Sequence, residues 1–203
     1  MDKKILNSNI LKEFITDDYL NYENLVEIKK TYSQNYPKSI KLDKFFKEDK
    51  YLLLQKEILN LKFKKIFSPM ESSFSSSEIG TEFKKLISSE EFKYFIEFIT
   101  GKKVNSCKPS SICVEHKDYT LLKDYFKEEF LEINFFFSQW QEEFGGYFSY
   151  FKNEELLRIV PSENSATIVN VEDGIQNFIK YVNVTAYTRK VFLVSLKISR
   201  SQG

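Results

Sequence analysis

The chain carries one histidine, His116, set in the tripeptide His116-Lys117-Asp118. An imidazole and a carboxylate two residues apart are part of a ligand set for a divalent transition metal. The plainer reading of a lone histidine beside a lysine is a surface residue. Arg189 is the second residue suited to chemistry, because its planar fork can clasp a carboxylate through two parallel hydrogen bonds. Its ordinary alternative is a salt-bridged arginine at the start of a strand. The two thiols, Cys107 and Cys113, form no Cys-x-x-Cys unit and read as reduced. Zinc-type spacing is missing, and neither a nucleophile elbow nor a cysteine signature accompanies the histidine. The six glycines are scattered, so no phosphate-cradling loop is present. The acid pairs Glu128-Glu129, Glu142-Glu143 and Glu154-Glu155 fall in turn-like stretches and read as solvated.

A chain of 203 residues fits one domain with a core of its own. Residues 1–101 read as mainly helical support and 102–200 as a β-rich core. A net charge of +1 lacks the basic footprint of a nucleic-acid binder. No apolar run reaches the 18 residues of a membrane span, and the first residues lack the long apolar centre of a signal peptide. The expected location is the cytoplasm.

Residues 4–15 read as a strand, and Thr16-Asp17-Asp18 as the cap of a helix that Pro37 ends. Residues 38–50 read as a Lys-rich loop, and about 50–63 as a second helix. Ser68 to Ser77 reads as a flexible loop, with a mobile lid as the sharper alternative. Residues 78–100 read as two helices broken by the cap at Ser88-Ser89, with Gly101 ending the second. Beyond Gly101 the period changes to two. Strands are expected over 111–115, 131–137, 147–151, 156–160, 167–171, 177–184 and 190–198. Helices first and short strands after predict an α+β fold.

Four stretches in this order resemble the superfamily of iron- and 2-oxoglutarate-dependent oxygenases, nearest its prolyl-hydroxylase-like branch. Lys117-Asp118-Tyr119-Thr120-Leu121-Leu122 is similar to the lead-in to that family's first metal motif. Ile133 to Trp140, followed by Gly145-Gly146-Tyr147-Phe148, is similar to its aromatic strand and Gly-Gly turn. Ile159-Val160-Pro161-Ser162-Glu163-Asn164 is similar to its Pro-x-x-Asn turn. Asn177 to Val182, followed by Arg189, is similar to its distal-histidine strand and later arginine.

The resemblance implies a double-stranded β-helix, or jelly roll, buttressed by the N-terminal helices, with a pocket between its sheets. It implies Fe(II) and 2-oxoglutarate as cofactors, the iron held by His-x-Asp and a distal histidine and the 2-oxoglutarate by the arginine. In the best register His-x-Asp falls on Lys123-Asp124-Tyr125 and the distal histidine on Asn177. The rival register uses His116 and Asp118. Either way one histidine cannot supply two imidazoles. Arg189 and Tyr119 are the expected cofactor-binding residues, with Tyr187 a further candidate for the same cavity. The favoured expectation is a binding or assembly module that holds a small carboxylate metabolite, a peptide or a protein partner, without nucleic acid or membrane. The alternative is a working hydroxylase with a non-standard metal site.

Overall fold

The computed structural model describes residues 5, 8–68, 71–104, 107–121 and 129–199. Helices α1 (Asn9–Phe14) and α2 (Tyr22–Gln34) precede strand β1 (Ser39–Asp43) and helix α3 (Glu48–Leu59). A hairpin of β2 (Lys64–Ser68) and β3 (Ser72–Ser77) follows, then α4 (Thr81–Ile87) and α5 (Glu90–Thr100). The second half is β4 (Lys108–Val114), β5 (Tyr119–Thr120), β6 (Phe130–Phe136), β7 (Phe148–Lys152), β8 (Glu154–Ile159), β9 (Ser165–Val171), β10 (Gln176–Ile179) and β11 (Val191–Ser199).

The strands form two facing sheets and not a closed barrel. The larger has eight strands, ordered β1-β9-β6-β11-β4-β3-β2 with β5 beside β3; the smaller is β10-β7-β8. Apart from the β2-β3 hairpin, strands adjacent in the large sheet are far apart in sequence, as in a jelly roll. One apolar cluster, including Phe136, Val169 and Leu193 of the large sheet and Phe148 and Ile179 of the small one, fills the space between them. A second cluster packs the helices on the other face of the large sheet, through Phe83, Phe95, Phe135 and Phe46. Phe83 meets Phe135 edge to face, with centroids 5.1 Å apart, a favoured aromatic geometry. Strand β6 is buried on both faces. Its odd residues face the helices and its even residues face the small sheet.

All the expected strands beyond Gly101 are present, although the one expected over 177–184 ends at Ile179, and so is the break between α4 and α5. Ser89 Oγ caps α5 by accepting from the Phe92 amide at 3.2 Å, and Gly101 ends it at φ 70°. The N-terminal half departs from the sequence reading in four places. Residues 9–14 are a helix rather than a strand. Ser8 caps it, accepting from Leu11 N at 3.1 Å, and Leu11 and Phe14 share one buried side. Thr16-Asp17-Asp18 leads only into a single 3-10 turn, and Asn21 is the cap of α2, accepting from Glu23 N at 2.9 Å.

The Ser-rich stretch is no loop: β3 pairs with β2, β4 and β5. Its partners outweigh weak local propensity. Likewise the Lys-rich stretch contains β1, an edge strand on β9.

The Pro-x-x-Asn turn joins the two halves. Asn164 takes a left-handed φ of 50°, which asparagine tolerates better than most residues. Its Oδ1 accepts from the Phe46 amide at 2.9 Å, and its Nδ2 donates to the Phe46 carbonyl at 3.0 Å. A side-chain amide thus extends the pairing to a segment 118 residues away in sequence. Asn164→Ala removes both bonds and leaves buried backbone groups unpaired, so it should destabilise by about 2–4 kcal/mol. Urea denaturation should show a lower midpoint with an unchanged m-value; a loss under about 1 kcal/mol would contradict the clamp.

Candidate functional site

At the end of the sandwich where β6 and β10 begin, the sheets part around a cavity of about 490 Å³. That lies in the range of small-molecule sites. Phe74, Ile112, Phe148 and Phe178 supply apolar wall, and Glu132, Asn177, Lys108 and Lys197 supply charge and polarity. The large sheet contributes Glu132 because its even-numbered β6 residues face inward. The small sheet contributes Asn177 from β10, opposite Tyr150 of β7 in register.

Glu132 is only 3% exposed, and Tyr150 is fully buried. Burial of a carboxylate costs several kcal/mol unless donors surround it. Here Tyr150 Oη donates to Glu132 Oε2 at 2.7 Å, and Asn177 Nδ2 donates to the same oxygen at 2.7 Å. The bonds tie β6 to β7 and β10 across the space between the sheets. They also fix the direction of the Asn177 amide, whose nitrogen is committed to Glu132. Glu132 Oε1 accepts no hydrogen bond among the described residues.

The Gly145-Gly146 turn holds the segment that follows β10. Gly146 N donates to Lys180 O at 2.8 Å, and Trp140 Nε1 donates to Gly145 O at 2.6 Å. A Cβ on Gly145, at φ 72°, would lie 2.0 Å from Tyr181 O. The glycine is required there by close approach as well as by conformation. Thr120 Oγ1 accepts from Ile179 N at 2.6 Å, pinning β10 to β5.

Of the residues singled out in the sequence, Asn177 lines the cavity. Lys123 and Tyr125 lie outside the described residues. Tyr119 lines a shallower cleft that adjoins the cavity through Thr120, Leu121, Phe178 and Ile179, its ring 6.4 Å from that of Tyr181. Arg189 is exposed, precedes β11, and stacks 5.2 Å over the Phe144 ring. Tyr187, 75% exposed, stands on the same outer loop. His116 is in the turn after β4, and neither it nor Asp118 lines the cavity. Asp118 is fully buried and held by Lys65, by Ser73 Oγ at 2.8 Å and by Glu115 N at 3.0 Å. Both cysteines are free, and burial pushes each thiol up to about 11.

Glu132, Tyr150, Lys108 and Lys197 escaped the sequence reading. Their signal was the pair Glu132 and Asn134 inside the otherwise apolar stretch Leu131 to Phe137. Two polar residues spaced by two read as the solvent face of a strand, and here they are the inward face.

Residues 68–202, more than half the chain, match the family model described as oxoglutarate and iron-dependent oxygenase degradation C-term. No curated protein sequence matches the chain. Among solved structures, a prolyl-4-hydroxylase from Pseudomonas putida superposes with a TM-score of 0.68 at 9% identity, covering 87% of this chain and 98% of its own. A prolyl hydroxylase from Trichoplax adhaerens, in complex with a hypoxia inducible factor peptide fragment, gives 0.66 at 10% identity, covering 90% and 95%. An oxidoreductase of the 2OG-Fe(II) oxygenase family from Burkholderia pseudomallei gives 0.65 at 8% identity, covering 90% and 94%. At these identities the likeness establishes the fold, the double-stranded β-helix. Among the described residues no helix is long and apolar enough to cross a membrane.

Burial, then the neighbouring Glu132 charge, raises the Tyr150 phenol well above its ordinary range. Burial likewise pushes Tyr19 and Tyr51 up to about 12. Unfolded tyrosines ionise near about 10. The raised folded values therefore contribute stability that is fully present below about 10 and lost as pH climbs through the folded range. The urea midpoint should fall between about pH 10 and 12. Tyr150→Phe should lower stability at neutral pH by about 1.5–3 kcal/mol, the worth of a bond to a charged group, and should make the alkaline fall shallower. A midpoint that rises above pH 10, or a neutral Tyr150→Phe, would contradict this.

Proposed function

The chain belongs to the oxoglutarate and iron-dependent oxygenase degradation C-term family, and from that premise we propose that it keeps the family's cavity as a binding site without its iron-centred oxidation. The occupant would be a small carboxylate metabolite, a peptide or a segment of a protein partner. In this reading residues 1–101 support, and 102–200 form, the roll of one domain.

The observation that carries the proposal is the commitment of Asn177. In the register given by the resemblance, Asn177 takes the place of the distal histidine, and its amide nitrogen is held by Glu132 at 2.7 Å. With one histidine in the chain, the residues do not fit a site of two imidazoles and one carboxylate. Lys123 in that register is a cation, which does not ligate iron unless deprotonated. A carboxylate, by contrast, finds two ammonium groups at the cavity, Lys108 and Lys197. The peptide complex of the Trichoplax hydroxylase gives a precedent for a peptide occupant.

The test is anaerobic loading with Fe(II), followed by aerobic incubation with 2-oxoglutarate and assay of succinate. The expected result is sub-stoichiometric iron and succinate at the level of a protein-free blank, and Asn177→His alone should not change either. One iron per chain with sustained succinate release would overturn the proposal in favour of a working hydroxylase.

A further inference from the structure

Three charged residues form a row across neighbouring strands at the cavity. Lys108 of β4 is directly opposite Lys197 of β11, and Lys197 is directly opposite Glu132 of β6. All three line the cavity, on strands about 4.8 Å apart. Like charges placed opposite one another repel, yet neither lysine forms an ion pair among the described residues. Lys197 Nζ instead lies 5.0 Å over the Phe130 ring. Glu132 faces Lys197 in register, but its donors come from Tyr150 and Asn177, and its Oε1 is left over. The row therefore presents two solvent-exposed ammonium groups without an ion pair and, one strand away, a carboxylate oxygen of the buried Glu132 without a donor, among the described residues.

A second observation points the same way. Asn134, two residues along β6 on the same inward face, is fully buried, and neither its Oδ1 nor its Nδ2 has a partner among the described residues. Its neighbour in register, Ser195, lines the cavity. Buried polar groups are ordinarily satisfied by protein, water or a bound guest. Among the described residues the charged lining is two lysines and two glutamates, counting the exposed Glu71. A pure anion or a pure cation would unbalance that set.

We propose, building on the binding role above, that the cavity takes a zwitterionic small molecule of the α-amino-acid type with an apolar or aromatic side chain. Its carboxylate sits against Lys108 and Lys197, and its ammonium donates to Glu132 Oε1. Its side chain packs on Phe74, Ile112, Phe148 and Phe178. Each ligand charge meets its opposite, and the ammonium end meets it at a nearly solvent-free carboxylate, where such bonds are strongest.

Calorimetric titration with four probes tests this: phenylalanine, phenethylamine, 3-phenylpropanoate and 2-oxoglutarate. Phenylalanine should bind at least about tenfold more tightly than any of the others, because each lacks at least one of the matched groups. Glu132→Gln keeps an acceptor for Tyr150 and Asn177 but turns an amide donor toward the ligand. It should weaken phenylalanine by about tenfold or more and leave 3-phenylpropanoate within about twofold. The double change Lys108→Met with Lys197→Met should weaken 3-phenylpropanoate and spare phenethylamine. Near-UV circular dichroism checks each variant's fold, and if Glu132→Gln does not fold the wild-type probe series decides alone. The inference is overturned if 3-phenylpropanoate matches phenylalanine, or if phenylalanine gives no heat. In the first case the carboxylate-binding role survives, whereas succinate release would remove that role whatever the probes show.

Discussion

A buried carboxylate sets the terms for the rest of this molecule. Glu132 is nearly solvent-free between two sheets whose other contacts are largely apolar. Left alone, such a charge would cost more than most single interactions in a fold return. The chain answers with a phenol and an amide from the opposite sheet, both on one oxygen. Those bonds fix the spacing of the sheets at the cavity end and the rotamer of Asn177. They also leave the second carboxylate oxygen beside the cavity. Packing at the other end, around Leu193, Phe136 and Val191, needs no such device and closes the space with side chains.

The helical half acts on the cavity indirectly. It covers the outer face of the large sheet through the aromatic cluster of Phe46, Phe83 and Phe135, and Asn164 locks that layer to the turn between β8 and β9. With its outer face covered, β6 can afford to send its even residues, polar ones included, toward the small sheet. The β2-β3 hairpin extends the large sheet over the cavity. Ser73 and Lys65 of that hairpin hold Asp118, so the His116-Lys117-Asp118 turn is part of the wall's support.

The β-rich half was legible because short strands with turn residues at regular intervals have few other foldings. The order of four local motifs then singled out the jelly roll. The N-terminal half was harder to read. Residues 9–14 are too short to show a helical period, and only the Ser8 cap marks the helix. The serines of β3 have little strand propensity, and three partner strands impose the conformation. Asn177 was legible as a cavity residue through its motif. Arg189 was placed by its distance in sequence from Asn177, but the loop through the 3-10 turn Val184–Ala186 carries it to the surface over Phe144. Inward positions on β11 belong instead to Val191, Leu193, Ser195 and Lys197, and only the last is charged. Glu132 was hidden because alternation reveals two faces of a strand without revealing which is inside.

Crystals grown anaerobically with Fe(II) and 2-oxoglutarate, measured on both sides of the iron absorption edge, show whether this cavity holds iron. No anomalous peak is expected at the β6–β10 end of the sandwich, with the Asn177 amide still bonded to Glu132. An iron peak within bonding distance of Asn177 or Glu132 would contradict this.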